Sequence, residues 1–101
     1  MSAQVTLGDA GQLKLAGQID FASAMPLRRQ LEQSLAQTSG PVTLDLSGVT
    51  RANSVGLSLI LLVARILSER GDPLRVVALP DGLKSIARVC ELEEWLTSVA
   101  A

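Results

Sequence analysis

The sequence predicts an α/β fold: a mixed β-sheet with an opening hairpin and helices packed on it. Two observations carry this. Short apolar, partly β-branched runs alternate with stretches whose leucines recur at helical spacing, in the order β-β-α-β-α-β-α followed by a tail. The first two runs are separated only by Gly8-Asp9-Ala10-Gly11, which is turn chemistry and implies an antiparallel pair, whereas the later strands are separated by helices and imply parallel neighbours with right-handed crossovers.

Taken in order, Ala3 to Leu7 and Gln12 to Ile19 read as the two hairpin strands. Asp20 to Thr38 follows as an amphipathic helix, because Leu27, Leu31 and Leu35 recur every four residues with Arg28, Arg29, Glu32 and Gln33 between them. Ser23 is the N-cap this pattern predicts, with Pro26 tolerated in the first turn, and Ser39-Gly40-Pro41 stops the helix. Val42 to Leu46 reads as a short buried strand, followed by a loop and then a long helix to about Arg70, closed by Gly71-Asp72-Pro73. Leu74 to Leu79 is apolar enough for a central strand, Pro80-Asp81-Gly82 is a turn, and Leu83, Ile86, Val89 and Cys90 give a short helix one apolar face. Trp95, Leu96 and Val99 are expected to pack the tail, Glu91 to Ala101, against the rest.

The chain of 101 residues suits one domain, 1–101, long enough for a core without staples. Apolar residues make up 48% and aromatics 2%, so the core is aliphatic and base stacking on aromatics is not a function to expect. Nine basic against ten acidic residues provide no excess of positive charge for a nucleic-acid phosphate backbone. The loose clusters Arg65, Arg70, Arg75 and Glu91, Glu93, Glu94 read as solvated surface. The single cysteine, Cys90, excludes an intrachain disulfide and suits a reducing compartment. No signal-peptide pattern opens the chain, and the apolar-rich run Leu57 to Leu67 is shorter than the about 20 residues a bilayer requires. The expectation is a cytoplasmic protein that reaches a membrane only through a partner.

Without histidine the commonest general base and metal ligand are missing, and no Walker loop, dinucleotide fingerprint or nucleophile elbow is present. No catalytic residue, metal site or cofactor is expected. Asp45, at a strand end, is expected to hydrogen-bond nearby backbone amides.

The informative stretch is Asp45 to Leu67, where a helix of apolar character opens on Arg51-Ala52-Asn53-Ser54. At about 100° per residue, Ser54, Ser58, Arg65 and Glu69 fall in one narrow sector, Leu61 and Leu62 flank it, and Gly56, Ile60, Val63 and Leu67 lie opposite. The helix therefore carries an outer stripe, small and polar, over which a partner can approach. Ser54, or Asn53 before it, is the N-cap, and a serine at that end can meet a partner or carry a phosphate. Arg51, Asn53, Ser54, Ser58 and Leu62 are the candidate partner-binding residues.

Asp45-Leu46-Ser47-Gly48-Val49 followed by Asn53-Ser54-Val55-Gly56-Leu57 resembles the signature of STAS domains, a DLS-x-V strand and a D-S/T-x-G-L helix start. Leu13 to Asp20, with its G-x-hydrophobic-D ending, resembles the family's second strand, and the likeness extends through Leu74–Leu79 and Leu83–Cys90. The resemblance implies a non-enzymatic interaction module and two readings. One is the small cytoplasmic subunit of an Mla-type phospholipid-transport ABC complex, whose hydroxyl residue at the Ser54 position lies against the MlaF-type ATPase, itself bound to an inner-membrane permease. Such a subunit supports assembly and activity of a transporter that maintains outer-membrane lipid asymmetry. The other is an anti-sigma factor antagonist, switched by phosphorylation at Ser54. Asn53 stands where the antagonists carry aspartate, and the chain ends soon after the third expected helix. Both features favour the transporter subunit.

Overall fold

In the computed structural model, which describes residues 3–100, four strands form one sheet in the order β1-β2-β3-β4. The strands are β1 (Gln4–Leu7), β2 (Gln12–Ile19), β3 (Val42–Ala52) and β4 (Leu74–Val77), and the helices are α1 (Phe21–Ala36), α2 (Ser54–Arg70), α3 (Asp81–Val89) and α4 (Glu93–Val99). β1 and β2 pair antiparallel, while β2–β3 and β3–β4 pair parallel, so the mixed sheet is as expected. A short 3-10 turn at Asp9–Gly11 joins the hairpin.

One face of the sheet is apolar. Leu13, Leu44 and Val76 stand in one register row across β2, β3 and β4, and all three are fully buried. Against them pack Leu27, Leu31 and Leu35 of α1 and Ile60, Val63 and Leu67 of α2. The adjacent row, Lys14, Asp45 and Val77, points the other way, and none of its members is buried. The result is a slab of 32 × 31 × 19 Å.

β3 runs to Ala52, six residues past the Leu46 end expected from sequence. It stays in the sheet by absorbing two irregularities: Lys14 pairs Asp45 but Ala16 pairs Gly48, and Gly17 pairs Val49 but Gln18 pairs Arg51. Each inserts one extra residue on the β3 side, a β-bulge. At the first, the Ser47 amide donates to Asp45 Oδ1 at 2.8 Å. This hydrogen bond, with Lys14 opposite, holds the Asp45 carboxyl below its ordinary value. Gly48 is required there because a Cβ would lie 2.8 Å from the Ala16 Cβ, closer than atoms can pack.

Other expectations also change. The N-cap of α1 is Asp20: its Oδ1 accepts the Ser23 amide at 3.0 Å, and Ser23 Oγ accepts the Asp20 amide at 3.0 Å. Ser23 is therefore the third residue of the helix in a reciprocal capping box, and Pro26 lies beyond the first turn. β4 is an edge strand, not a central one, touched on its outer side by a bridge between Val76 and Ala100. On α3, Leu83 and Ala87 are buried, but Val89 and Cys90 face solvent. The tail forms α4, with Leu96 buried and Trp95 and Val99 packed beside it; Ala101 lies outside the described residues. The tail thus adds a fourth helix beyond the three expected from sequence.

Candidate functional site

The site lies where two parallel strands end and two helices begin. β2 finishes at Ile19 and β3 at Ala52, which are register partners. The Asn53 amide adds one more bond to Ile19 O, at 3.3 Å, so the start of α2 hangs from the end of β2. In open α/β sheets the carboxyl ends of parallel strands are where ligands and partners usually meet the fold.

Asn53 is the N-cap of α2. Its Oδ1 accepts the Val55 amide at 2.9 Å, and its carbonyl accepts the Gly56 amide at 2.9 Å. Of the two caps open from sequence, Asn53 therefore holds the role, and Ser54 is the first helical residue with its side chain exposed and outside the cap. No acidic residue stands in the first turn of α2 to meet the partial positive charge of the helix start. Gly56 lets α3 come close, since a Cβ there would lie 3.1 Å from Leu83 Cδ2.

The outer stripe is as the helical wheel drew it: Ser54, Ser58, Arg65 and Glu69 are all exposed. Ser58 Oγ donates back to Ser54 O at 3.3 Å. Leu61 and Leu62 are both half-buried, but they differ. Leu61 packs against the core, whereas Leu62 borders a depression between α1 and α2 shared with Ala24, Met25, Arg28, Val55, Ser58 and Leu59. Arg51 is exposed at the end of β3, opposite Gln18. Thus Ser54, Ser58 and Leu62 follow one another at four-residue spacing along α2, Asn53 caps the start of that row, and Arg51 lies two residues before the cap.

Sequence reasoning missed the α1 side of this surface. Phe21 is 79% exposed and Met25 is 61% exposed, unusual values for large apolar side chains. A signal was present: Met25 lies about 120° around the helix from the centre of the Leu27, Leu31 and Leu35 stripe, on a flank where a polar residue belongs. A separate cavity of about 400 Å³ lies between α3 and α4, away from Ser54. Its Arg88 and Glu93 satisfy each other at 2.8 Å.

Among the described residues no helix is long and apolar enough to cross a membrane, and no group of three or more histidine, cysteine or acidic residues is placed to hold a metal.

Two of the solved structures that share the fold are anti-sigma factor antagonists. The anti-sigma factor antagonist from Mycobacterium paratuberculosis superposes with a TM-score of 0.71 at 23% identity, covering 97% of this chain and 92% of its own. The anti-sigma factor antagonist SpoIIAA, in its unphosphorylated form, gives a TM-score of 0.66 at 12% identity, covering 86% of this chain and 82% of its own. At such identities the likeness is one of fold. No curated protein matches the chain. The family described as "Mlab, STAS domain" matches residues 2–98, nearly the whole sequence and both motifs around the site, and the chain belongs to that STAS family.

Proposed function

We propose that this protein is the small STAS subunit of an Mla-type ABC phospholipid transporter, binding the cytoplasmic ATPase through the start of α2 and supporting assembly and activity of the complex. The observation that carries the reading is the division of labour at residues 53 and 54. Asn53 performs the capping, so Ser54 is left as an exposed hydroxyl at the head of the helical row that runs through Ser58 and Leu62, and those two border the groove beside α1. The match to the family described as Mlab supports the transporter over other STAS partners. In this role the protein supplies no chemistry. It shifts the ATPase between its conformations, which requires that it bind one of them more tightly.

The second reading, an antagonist controlled by phosphorylation of Ser54, draws on the same exposed hydroxyl and on the fold shared with two antagonists. The neutral Asn53 in place of aspartate favours the first.

Ser54→Glu separates an interface from a helix start. A carboxylate suits a helix amino end, so the variant is expected to fold at least as well as the parent. In a close contact the same carboxylate is desolvated without a partner, so ATPase binding is expected to fall. Affinity purification of the parent and the variant from the native cell, with mass spectrometry of what co-elutes and melting curves on the same preparations, reads both effects. The expected result is an ATPase with its permease on the parent and loss of both on a well-folded Ser54→Glu. Recovery of a serine kinase, with phosphate on Ser54, overturns the transporter reading. Equal recovery of the ATPase on both proteins removes Ser54 from the interface.

A further inference from the structure

Between α1 and α2 lie two depressions that share Arg28, Ser58 and Leu62. The first has a volume of about 190 Å³ and is bordered by Ala24, Met25, Val55 and Leu59 as well. The second, about 250 Å³, continues along α2 to Leu61 and Arg65. On α2 the borders move from Val55, Ser58, Leu59 and Leu62 to Ser58, Leu61, Leu62 and Arg65, a step of about three residues, which is roughly 5 Å along a helix axis. That step is the spacing of side chains at i and i+3 or i+4 on another helix lying along the groove.

The charged side chains that border the groove directly are both arginines. Arg28 borders both depressions and Arg65 the second, and no carboxylate borders either. Glu32 and Glu69 reach these arginines at 3.8 Å in loose surface pairs, with all four side chains about half exposed or more, so a partner's carboxylates compete with them for the guanidinium groups. At the upper end, the first turn of α2 adds the positive end of its dipole, and that turn carries no acidic residue of its own. Met25 and, one turn before it on the same side of α1, Phe21 extend the apolar border into solvent.

We propose that this groove receives an acidic amphipathic helix of the partner protein, with two apolar side chains one turn apart seated in the two depressions and carboxylates beside them meeting Arg28 and Arg65. The proposal rests on the reading that this face docks a protein partner. It adds the chemistry of the docking segment and the α1 residues that hold it.

The probe is a synthetic helical peptide with leucines at i and i+4 flanked by glutamates. Two control peptides replace the glutamates by lysines or the leucines by alanines. Binding is followed by amide chemical shifts of the isotope-labelled protein. The acidic peptide is expected to move the signals of residues 24, 25, 28, 58, 61, 62 and 65, and both controls are expected to bind about tenfold more weakly or not at all. The double variant Arg28→Glu/Arg65→Glu, checked for folding by circular dichroism, is expected to reverse the preference in favour of the lysine peptide.

Equal binding of the acidic and lysine peptides, shifts that map elsewhere, or no shift at all overturns the proposal. So does sedimentation of the parent, but not the double variant, with phosphatidylglycerol vesicles in the absence of peptide, which assigns the groove to a membrane. Concentration-dependent self-association that Met25→Asp abolishes overturns it in favour of a second copy of this chain. The two levels fail separately: Ser54-dependent capture of the ATPase with no peptide binding removes the groove and keeps the interface, while peptide binding without ATPase capture keeps the groove and removes the transporter reading.

Discussion

Asn53 and Ser54 are neighbours with the same chemistry available to them, and backbone geometry divides their roles. Asn53 has extended dihedrals, φ −110° and ψ −162°, which aim its amide oxygen at the Val55 N–H, and its own N–H is held by Ile19 O. Ser54 is already helical and has no free amide within reach of the same kind. Asn53→Ala is therefore expected to cost about 1 kcal/mol, the usual loss for an N-cap, whereas Ser54→Ala should stay within about 0.5 kcal/mol. Denaturant unfolding of the two variants measures the difference. Equal losses show that the hydroxyl shares the cap, and the argument that Ser54 is free for a partner then fails. A sequence does not separate these neighbours, since asparagine and serine are both good caps and the dihedrals that choose between them come from the length of β3.

At the scale of elements, α2 has a lateral contact that the core uses and one that it does not. Leu61 packs on the core and borders only the second depression, whereas Leu62 borders both depressions and is not part of the core packing, so the two adjacent leucines should respond differently to charge. Leu62→Asp is expected to lower stability by no more than about 1 kcal/mol and to weaken partner binding, whereas Leu61→Asp should cost several kcal/mol by placing a carboxylate against buried aliphatic side chains. Thermal melts beside a pull-down measure both; a collapse of Leu62→Asp shows that its face belongs to the core. The outer stripe of α2 was legible because a long helix of uniform period displays its faces. The end of β3 was not, because the bulges at residues 46–47 and 50 break the two-residue alternation by which a strand is recognised, and Ser47-Gly48 reads as a loop. β4 was misplaced for another reason: a run such as Leu74–Val77 reads alike in a central strand or at an edge, and only pairing decides. The α1 half of the groove was hidden behind the regular leucines of its core stripe, although Met25, on the flank outside them, broke the pattern.

For the whole molecule, a groove between two helices has a defined width only if both ends are fixed. At the upper end α1 and α2 are fixed by their caps, which grow from the paired ends of β2 and β3. At the lower end one side chain does the joining. Arg70, in the last turn of α2, donates to Leu35 O at 2.8 Å, Thr38 O at 3.1 Å and Gly40 O at 3.1 Å, all at the end of α1 or in the segment after it. Its Nε meets Asp72 at 3.0 Å, and the side chain is only 25% exposed. Composition placed Arg70 in a solvated basic stretch with Arg65 and Arg75; the fold makes it a fastener, because its planar fork reaches carbonyls at the end of α1 and in the segment after it at once. An ammonium carries three donors on one atom and cannot span carbonyls that far apart while also holding Asp72. Arg70→Lys is accordingly expected to cost about 1–3 kcal/mol, and to speed amide exchange over residues 36–42 while leaving exchange near residues 20–25 at the rate of global unfolding. Arg65→Lys, on an exposed side chain, should change neither. If Arg70→Lys melts and exchanges like the parent, the lower end of the groove is held by core packing alone.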